Sequence, residues 1–101
     1  MGLLDFLFGS NTKKIEDFKK RDAVILDVRT QKEYDAGAIS GSKHIPLNDV
    51  SSKISEIKQW NKPVITCCAS GVRSGNAAKT LNNNSIEAIN GGGWKSLEKK
   101  L

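Results

Sequence analysis

The sequence predicts an α/β fold in which a central, mostly parallel sheet of short strands is flanked by helices on both faces. Two continuous apolar runs, residues 23–28 and 63–68, are typical of strands that are buried on both sides of a sheet. Between and after them lie stretches in which apolar residues recur every three or four positions, as in helices. The 101 residues, 38% hydrophobic and 27% charged, fit one domain over residues 1–101 with a single modest core.

Four strands and five helical segments are predicted along the chain. The strands are residues 23–28, 43–47, 63–68 and 86–89. The first two helical segments are one ending near Lys20 with Ile15 and Phe18, and a turn opened by the capping box of residues 30–33 and carrying Tyr34. The other three are one capped by Asn48 or Asp49 with Val50, Ile54 and Ile57, one beginning at Ser74 with Ala77, Ala78 and Leu81, and one with Trp94, Leu97 and Leu101.

The start of the chain and its two cysteines bear on where the protein acts. Residues 1–13 form a short apolar N-terminal segment, which we expect to cover the core or to contact a partner or a membrane surface. No apolar run reaches the roughly 18–20 residues of a transmembrane segment, and the cationic start of a signal peptide is missing. Cys67 and Cys68 are adjacent, and neighbouring cysteines rarely form a disulfide because the ring is strained. We therefore expect a cytoplasmic protein, and a monomer.

The net charge bears on possible partners. Sixteen Lys and Arg against eleven Asp and Glu give a formal net charge of +5. The basic residues are scattered and do not form a stripe interleaved with aromatic residues, so no nucleic-acid partner is predicted. The excess positive charge can still draw small anions toward a site.

The strongest candidate for chemistry is Cys68 at the start of an exposed loop that runs into a helix. In parallel sheets, ligands bind beyond the carboxyl ends of the strands, where this loop begins. Backbone N–H groups of such a loop and the helix N-terminus bind anions and lower the pKa of a thiol. Gly71 permits backbone angles that a side chain forbids, and Arg73 adds a permanent charge. The predicted anion-binding loop consists of Ala69, Ser70, Gly71, Val72, Arg73 and Ser74.

Other candidates receive structural interpretations. Cys67 lies inside the strand pattern and is expected to be a small buried hydrophobic residue. His44, beside Pro46, is expected to be structural or exposed, and two adjacent thiols with one histidine do not match the spacing of zinc ligands. A local ion-pair network that holds the turn after the first long strand is expected for Asp27, Arg29 and Glu33.

Four separated motifs resemble those of rhodanese-like domains over about residues 15–101. They are Leu26-Asp-Val-Arg29 followed by Glu33-Tyr34; the glycine-bounded stretch 37–46 that ends in His-Ile-Pro; Cys68-Ala-Ser-Gly-Val-Arg-Ser74 with the helix after it; and Asn90-Gly-Gly-Gly-Trp94, with tighter spacing than is usual in the family. One such motif alone is weak, whereas four in the right order are specific. The resemblance implies a parallel sheet of about five strands.

The resemblance also implies sulfur transfer through a persulfide on Cys68. The donor is a sulfane compound, thiosulfate or a persulfide, and the acceptor is cyanide or a thiol, with a protein sulfur carrier as a further candidate. The mechanism is covalent and proceeds in two steps. Neither a metal nor an organic cofactor is expected. In this interpretation the loop amides stabilise the sulfur anion, and Arg73 braces the loop and supplies charge.

The chain departs from the family pattern at three positions. Ala38 stands where His is frequent, His44 where Asn is frequent, and Ala69 where Arg or Lys often follows the cysteine. The third departure removes a charge that could bind an anionic donor.

Two alternative functions remain open at this point. One is a binding module that keeps the fold without catalysis and docks a partner through its basic surface or apolar N-terminus. The other, less favoured, is a cysteine-dependent phosphatase, whose loop resembles C-x5-R, whereas Cys68 and Arg73 give C-x4-R.

Overall fold

The computed structural model of the protein describes residues 10–101, in which four strands alternate with six helices. The strands are β1 (Val24–Asp27), β2 (Lys43–His44), β3 (Val64–Cys68) and β4 (Ala88–Gly93). The helices are α1 (Ser10–Lys20), α2 (Gln31–Ala36), α3 (Leu47–Val50), α4 (Ile54–Gln59), α5 (Val72–Asn83) and α6 (Trp94–Glu98), with a 3-10 turn at Ser51–Lys53 between α3 and α4. Within residues 10–101, every helix is too short or too polar to cross a membrane.

The strands pair in the order β2-β1-β3-β4, and all three pairings are parallel. The predicted α/β fold with a parallel sheet is therefore confirmed. The count of about five strands that the family resemblance implied is wrong, because the sheet formed by residues 10–101 has four strands. The physical reason lies in the sequence, since the apolar residues between the four extended stretches recur at helical spacing and form helices instead.

Helices cover both faces of the sheet, as predicted. Successive side chains of a strand point to opposite faces, so Val64 and Cys68 of β3 join a core cluster with α3, α4 and α5. Ile65 and Cys67 join a second cluster with α1 and α6. The two adjacent cysteines therefore lie on opposite faces of the sheet, and both are free.

The N-terminal and middle helices differ in part from the prediction. Residues 1–9 of the predicted apolar segment 1–13 lie outside the described residues, and positions 10–13 belong to α1. The helix predicted from Asn48 or Asp49 begins at Leu47, after Pro46, and neither polar side chain caps it. Proline is favoured at helix starts because its fixed φ suits the first turn. The 3-10 turn then divides this segment into α3 and α4.

The elements around the candidate site also begin or end at positions other than predicted. Helix α5 begins at Val72 rather than at Ser74, with Gly71 before it in the left-handed region at φ +105°. Strand β4 continues to Gly93, whereas the prediction ended it at residue 89 and made the three glycines a connection. Leu101, expected on the last helical stripe, lies beyond α6 and is 44% exposed.

Candidate active site

Cys68 occupies the carboxyl end of β3, where its sulfur is the shared acceptor of three hydrogen bonds. The N–H of Gly71 donates to Sγ at 3.0 Å, the N–H of Ser74 at 3.4 Å and the Ser74 hydroxyl at 3.3 Å. The residue is buried, so the expectation that it stands in an exposed loop is wrong. Burial follows from the position of Cys68 as the last residue of β3, a strand that is buried along its whole length, whereas the exposed positions of the loop are Ala69, Ser70 and Val72.

The two cysteines differ in acidity. Burial acts to raise the pKa of the Cys68 thiol, but hydrogen bonds from the side chain and backbone of Ser74 and from the backbones of Gly71 and Ser70 outweigh it, and the net pKa lies below the ordinary value. Burial raises the pKa of Cys67 to about 12, and the nearby Asp27 carboxylate adds to the shift. Cys68 is therefore the thiol more readily ionised near neutral pH.

Arg73 lies in the first turn of α5 and is bound by a carboxylate 40 residues away. Its Nη1 lies 2.7 Å from Glu33 Oε1, and its Nη2 lies 3.0 Å from Oε2. The hydrogen bond from Arg73, followed by that from the Thr30 backbone, lowers the pKa of Glu33 to about 2. Arg73 thus brings a permanent charge to the loop, as expected, but Glu33 compensates that charge.

The turn after β1 is built around the buried ion pair of Asp27 and Arg29. Arg29 Nη2 lies 2.7 Å from Asp27 Oδ2, and Nε donates to both carboxylate oxygens at 3.0 Å. The same guanidinium donates to the carbonyl of Gly37 at 2.7 Å and stacks over Trp94 at 4.7 Å. Arg29 contacts Glu33 only at its backbone carbonyl. The predicted ion-pair network therefore holds for Asp27 and Arg29, whereas the Glu33 carboxylate pairs with Arg73.

Asn90 is a polar residue at this site that the sequence placed in a family motif but not among the candidate site residues. Its Oδ1 accepts from the Ser74 hydroxyl at 2.6 Å and from the N–H of Gly92 at 2.9 Å. Its Nδ2 donates to the carbonyl of Gly71 at 2.9 Å. The available signal was an asparagine before three glycines, on the strand that follows the cysteine strand in the chain.

The glycines of β4 let that strand approach the cysteine loop closely. A Cβ on Gly93 would lie 2.9 Å from the carbonyl oxygen of Ala69, and a Cβ on Gly71 would lie 3.3 Å from Cα of Gly92. A Cβ on Gly91 would lie 2.7 Å from the carbonyl oxygen of Thr66. A side chain at Gly71 or Gly93 would push β4 away from the loop, and one at Gly91 would push it away from β3.

Two surface depressions flank the loop and share Ala69, Gly93 and Ser96. One, of about 620 Å³, is lined by the loop from Ala69 to Val72 and reaches Lys100. The other, of about 480 Å³, contains Trp94 and Lys95. A substrate that reaches the loop through the larger depression therefore meets a backbone surface with Lys100 at its margin. Through the smaller one it meets Lys95 together with Arg29 and Glu33, each of which is already held in an ion pair.

His44 lies apart from this cluster, as the structural interpretation requires. Its Nε2 is 2.8 Å from the carbonyl oxygen of Arg29, and its ring stacks on Tyr34 with 4.5 Å between the centroids.

The ion pair between Arg73 and Glu33 gives a prediction for acid stability. Because the pKa of Glu33 is lowered from about 4.5 to about 2, the pair stabilises the fold above pH 4.5 and loses this contribution as the pH falls toward 2. Glu33→Gln should lower the free energy of unfolding by less than about 1 kcal/mol at pH 7, because the pair is partly exposed. The gap to wild type should close in acid when unfolding is measured by urea titration. Arg73→Gln should behave in the same way, and a gap that persists at low pH would contradict this assignment.

Comparison with known proteins identifies the family. The model of the rhodanese-like domain matches residues 11–100. The chain is 38% identical over 90 residues to the protein YqhL of Bacillus subtilis, covering 85% of this chain and 71% of that protein. It is 31% identical over 80 residues to thiosulfate sulfurtransferase GlpE of Pseudoalteromonas translucida, covering 79% of this chain and 75% of that enzyme. A rhodanese-like domain protein from Staphylococcus aureus superposes with a TM-score of 0.68 at 32% identity, covering 75% of this chain and 74% of that one. On the strength of this family match, which agrees with the four motifs and the parallel sheet, the chain belongs to the rhodanese-like domain family.

Proposed function

We propose that the protein is a sulfurtransferase that carries a sulfane sulfur on Cys68. The observation that carries this proposal is the convergence of the Gly71 N–H, the Ser74 N–H and the Ser74 hydroxyl on one buried sulfur. The N–H groups of Gly71 and Ser74 are held in place by the backbone, so they stabilise an anion on the sulfur without reorganising during the reaction. Both a thiolate and a persulfide are such anions. The similarity to thiosulfate sulfurtransferases adds to this reasoning.

The reaction has two displacement steps. The Cys68 thiolate attacks the outer sulfur of the donor, a bond forms between Sγ and that sulfur, and the sulfur–sulfur bond of the donor breaks. The leaving group is sulfite when the donor is thiosulfate, and a thiolate when the donor is a persulfide. In the second step an acceptor thiolate or cyanide attacks the outer persulfide sulfur, and the electron pair of the broken bond returns to Cys68. No net oxidation takes place, and the free enzyme is regenerated.

The geometry disfavours the two alternatives. A phosphatase needs a cation free to bind a phosphoryl group, whereas the guanidinium of Arg73 is already paired with Glu33. A binding module has no use for a thiol of lowered pKa beneath three hydrogen-bond donors, which is the environment of Cys68. We further propose that the protein acts in the cytoplasm, where two free cysteines stay reduced.

Mass spectrometry of the intact protein tests the proposal. After incubation with a sulfane donor and removal of excess reagent, we expect a gain of one sulfur atom that maps to Cys68. Adding a thiol should remove it and restore the original mass. Cys68→Ser should gain nothing. A wild-type protein that stays unmodified by both thiosulfate and a small-molecule persulfide would favour the binding module.

The surroundings of the loop predict the preferred donor. Thiosulfate carries two negative charges, yet Ala69, Ser70 and Val72 are neutral, and both Arg73 and Arg29 are paired with carboxylates. Among residues 10–101, the unpaired cations that line the two depressions are Lys95 and Lys100. We expect thiosulfate to bind weakly and a less charged persulfide to be the better donor. Ala69→Arg should lower the KM for thiosulfate by up to about fivefold, corresponding to ~1 kcal/mol for one partly exposed cation.

Ala69→Gln is the matched neutral control for this variant, because it adds similar bulk without charge. Added salt should erase the advantage of Ala69→Arg over Ala69→Gln. A wild-type protein that saturates at low thiosulfate, or equal KM values for the two variants, would mean that the backbone amides alone bind the anion.

A further inference from the structure

The hydroxyl of Ser74 has one hydrogen and two acceptors within reach. Asn90 Oδ1 lies 2.6 Å from Ser74 Oγ, and Cys68 Sγ lies 3.3 Å from it. A hydroxyl donates a single hydrogen bond and accepts through its lone pairs. The two acceptors therefore compete for the same hydrogen, and Ser74 is buried, so water does not replace either partner.

The amide of Asn90 is held in one orientation. Its Nδ2 donates to the carbonyl of Gly71, and its Oδ1 accepts from the N–H of Gly92, each at 2.9 Å. A flipped amide would place an oxygen against the carbonyl of Gly71 and an NH2 group against the N–H of Gly92. The carbonyl of Asn90 also accepts from Asn11 at 2.6 Å, which ties this part of β4 to α1. Oδ1 is thus fixed toward Ser74 as an acceptor.

The state of Cys68 decides which acceptor receives the hydrogen. Among the polar groups that contact Sγ within residues 10–101, the backbone contributes N–H groups of Ser70, Gly71 and Ser74, and only Ser74 Oγ can accept a hydrogen from the thiol. In the thiol form the chain of hydrogen bonds runs from Sγ to Ser74 Oγ and on to Asn90 Oδ1. In the thiolate form Sγ has no hydrogen to give, and the Ser74 hydroxyl turns to donate to it.

We propose that Asn90 is a positioning residue that sets the direction of the Ser74 hydroxyl, holding its hydrogen while Cys68 is a thiol and releasing it to Sγ when the thiol ionises. The same release would serve the anionic sulfur of a persulfide, and in that respect the inference rests on the proposed function. Asn90 then acts in two opposed ways. It competes with Sγ for the Ser74 hydrogen, and it holds the loop through Gly71, whose N–H also stabilises the thiolate.

A double-mutant cycle separates these two actions. Asn90→Leu is similar in size and removes both the acceptor and the link to Gly71. Ser74→Ala removes only the hydroxyl. Any effect of Asn90→Leu on the pKa of Cys68 that acts through the loop is the same with Ser74 and with Ser74→Ala, so it cancels in the cycle. Competition for the hydroxyl hydrogen exists only when Ser74 is present, so it remains as the difference.

The readout is the pKa of Cys68, taken from the pH dependence of its Cβ chemical shift in protein labelled with 13C-cysteine. The Cβ shift of Cys67 should not change over the same pH range, because the pKa of that thiol is raised to about 12. The charged groups near the site within residues 10–101 are all unchanged in the four proteins of the cycle: the pair of Arg73 and Glu33, the pair of Arg29 and Asp27, and the lysines Lys95 and Lys100. Asn90→Leu should lower the pKa of Cys68 by about 0.5–1 unit more in the Ser74 background than in Ser74→Ala, the size expected for one hydrogen bond.

The wild-type protein provides a second measurement in case Asn90→Leu fails to fold. When the hydroxyl turns away, Oδ1 keeps only the N–H of Gly92. The amide proton of Gly92 should therefore titrate with the midpoint of Cys68, and this response should disappear in Ser74→Ala. Equal effects of Asn90→Leu in both backgrounds, or a Gly92 response that survives Ser74→Ala, would overturn the proposal. Because neither readout requires sulfur transfer, a positive cycle in a protein that forms no persulfide would reject the proposed function alone.

Discussion

Cys68→Ser is expected to reduce sulfur transfer to the background rate. A serine hydroxyl does not ionise near neutral pH and forms no persulfide, so the first displacement step is lost entirely. The fold should survive, because the serine oxygen can accept from the N–H groups of Gly71 and Ser74 that now reach Sγ. We expect a change in the free energy of unfolding of about 1 kcal/mol. Sulfite release from thiosulfate and thermal unfolding of the same preparation measure the two effects.

Cys67→Ser is the matched control, since it makes the same one-atom change at the neighbouring position. Cys67 is fully buried on the opposite face of the sheet, in the cluster that includes Ile15 and Leu97. A hydroxyl without a partner in that cluster should cost about 1–3 kcal/mol, while turnover per folded molecule should stay near the wild-type rate. Loss of transfer in Cys67→Ser with activity kept in Cys68→Ser would mean that the wrong thiol has been assigned.

The opposite placement of the two cysteines could be predicted, because the period of a strand is two and residues 63–68 form a continuous apolar run. The same run, with the loop and helix after it, sufficed to single out Cys68. The number of strands could also be predicted from the alternation of apolar runs, which indicates four. The family resemblance implied one more than the described residues form.

Two links of the site were not predictable from local patterns. Arg73 and Glu33 are 40 positions apart, and each already has an adequate local explanation, a loop charge for one and a capping box for the other. The two side chains come into contact because α2 follows β1 and α5 follows β3, and the carboxyl ends of these neighbouring parallel strands lie side by side. Asn90 was hidden in a similar way, because an asparagine before glycines is typical of a turn. It lies beside Ser74 because β4 pairs with β3 in a register that sets Asn90 opposite Thr66.

Arg29→Ala is expected to destabilise the protein more than any other single charge removal considered for it. The change leaves the fully buried carboxylate of Asp27 without its partner and removes the hydrogen bond to the carbonyl of Gly37. Breaking one side of a buried ion pair costs about 3–5 kcal/mol. In a domain of this size, each kcal/mol lowers the Tm by about 4–8 °C, so a fall of at least about 12 °C is expected.

The matched control is Arg21→Ala, which also removes an arginine from a double contact with a carboxylate. The pair of Arg21 and Glu87 is exposed, with distances of 2.8 and 2.9 Å, so its loss should change the Tm far less than the loss of Arg29. Asp27→Asn combined with Arg29→Ala removes both charges and should recover part of the lost stability, because no unpaired charge stays buried.

Arg29 makes no hydrogen bond to Cys68, so turnover per folded molecule should change much less than the Tm. If Arg29→Ala instead abolished transfer and left the Tm unchanged, the pair would belong to the reaction, and the turn after β1 would be held by other contacts.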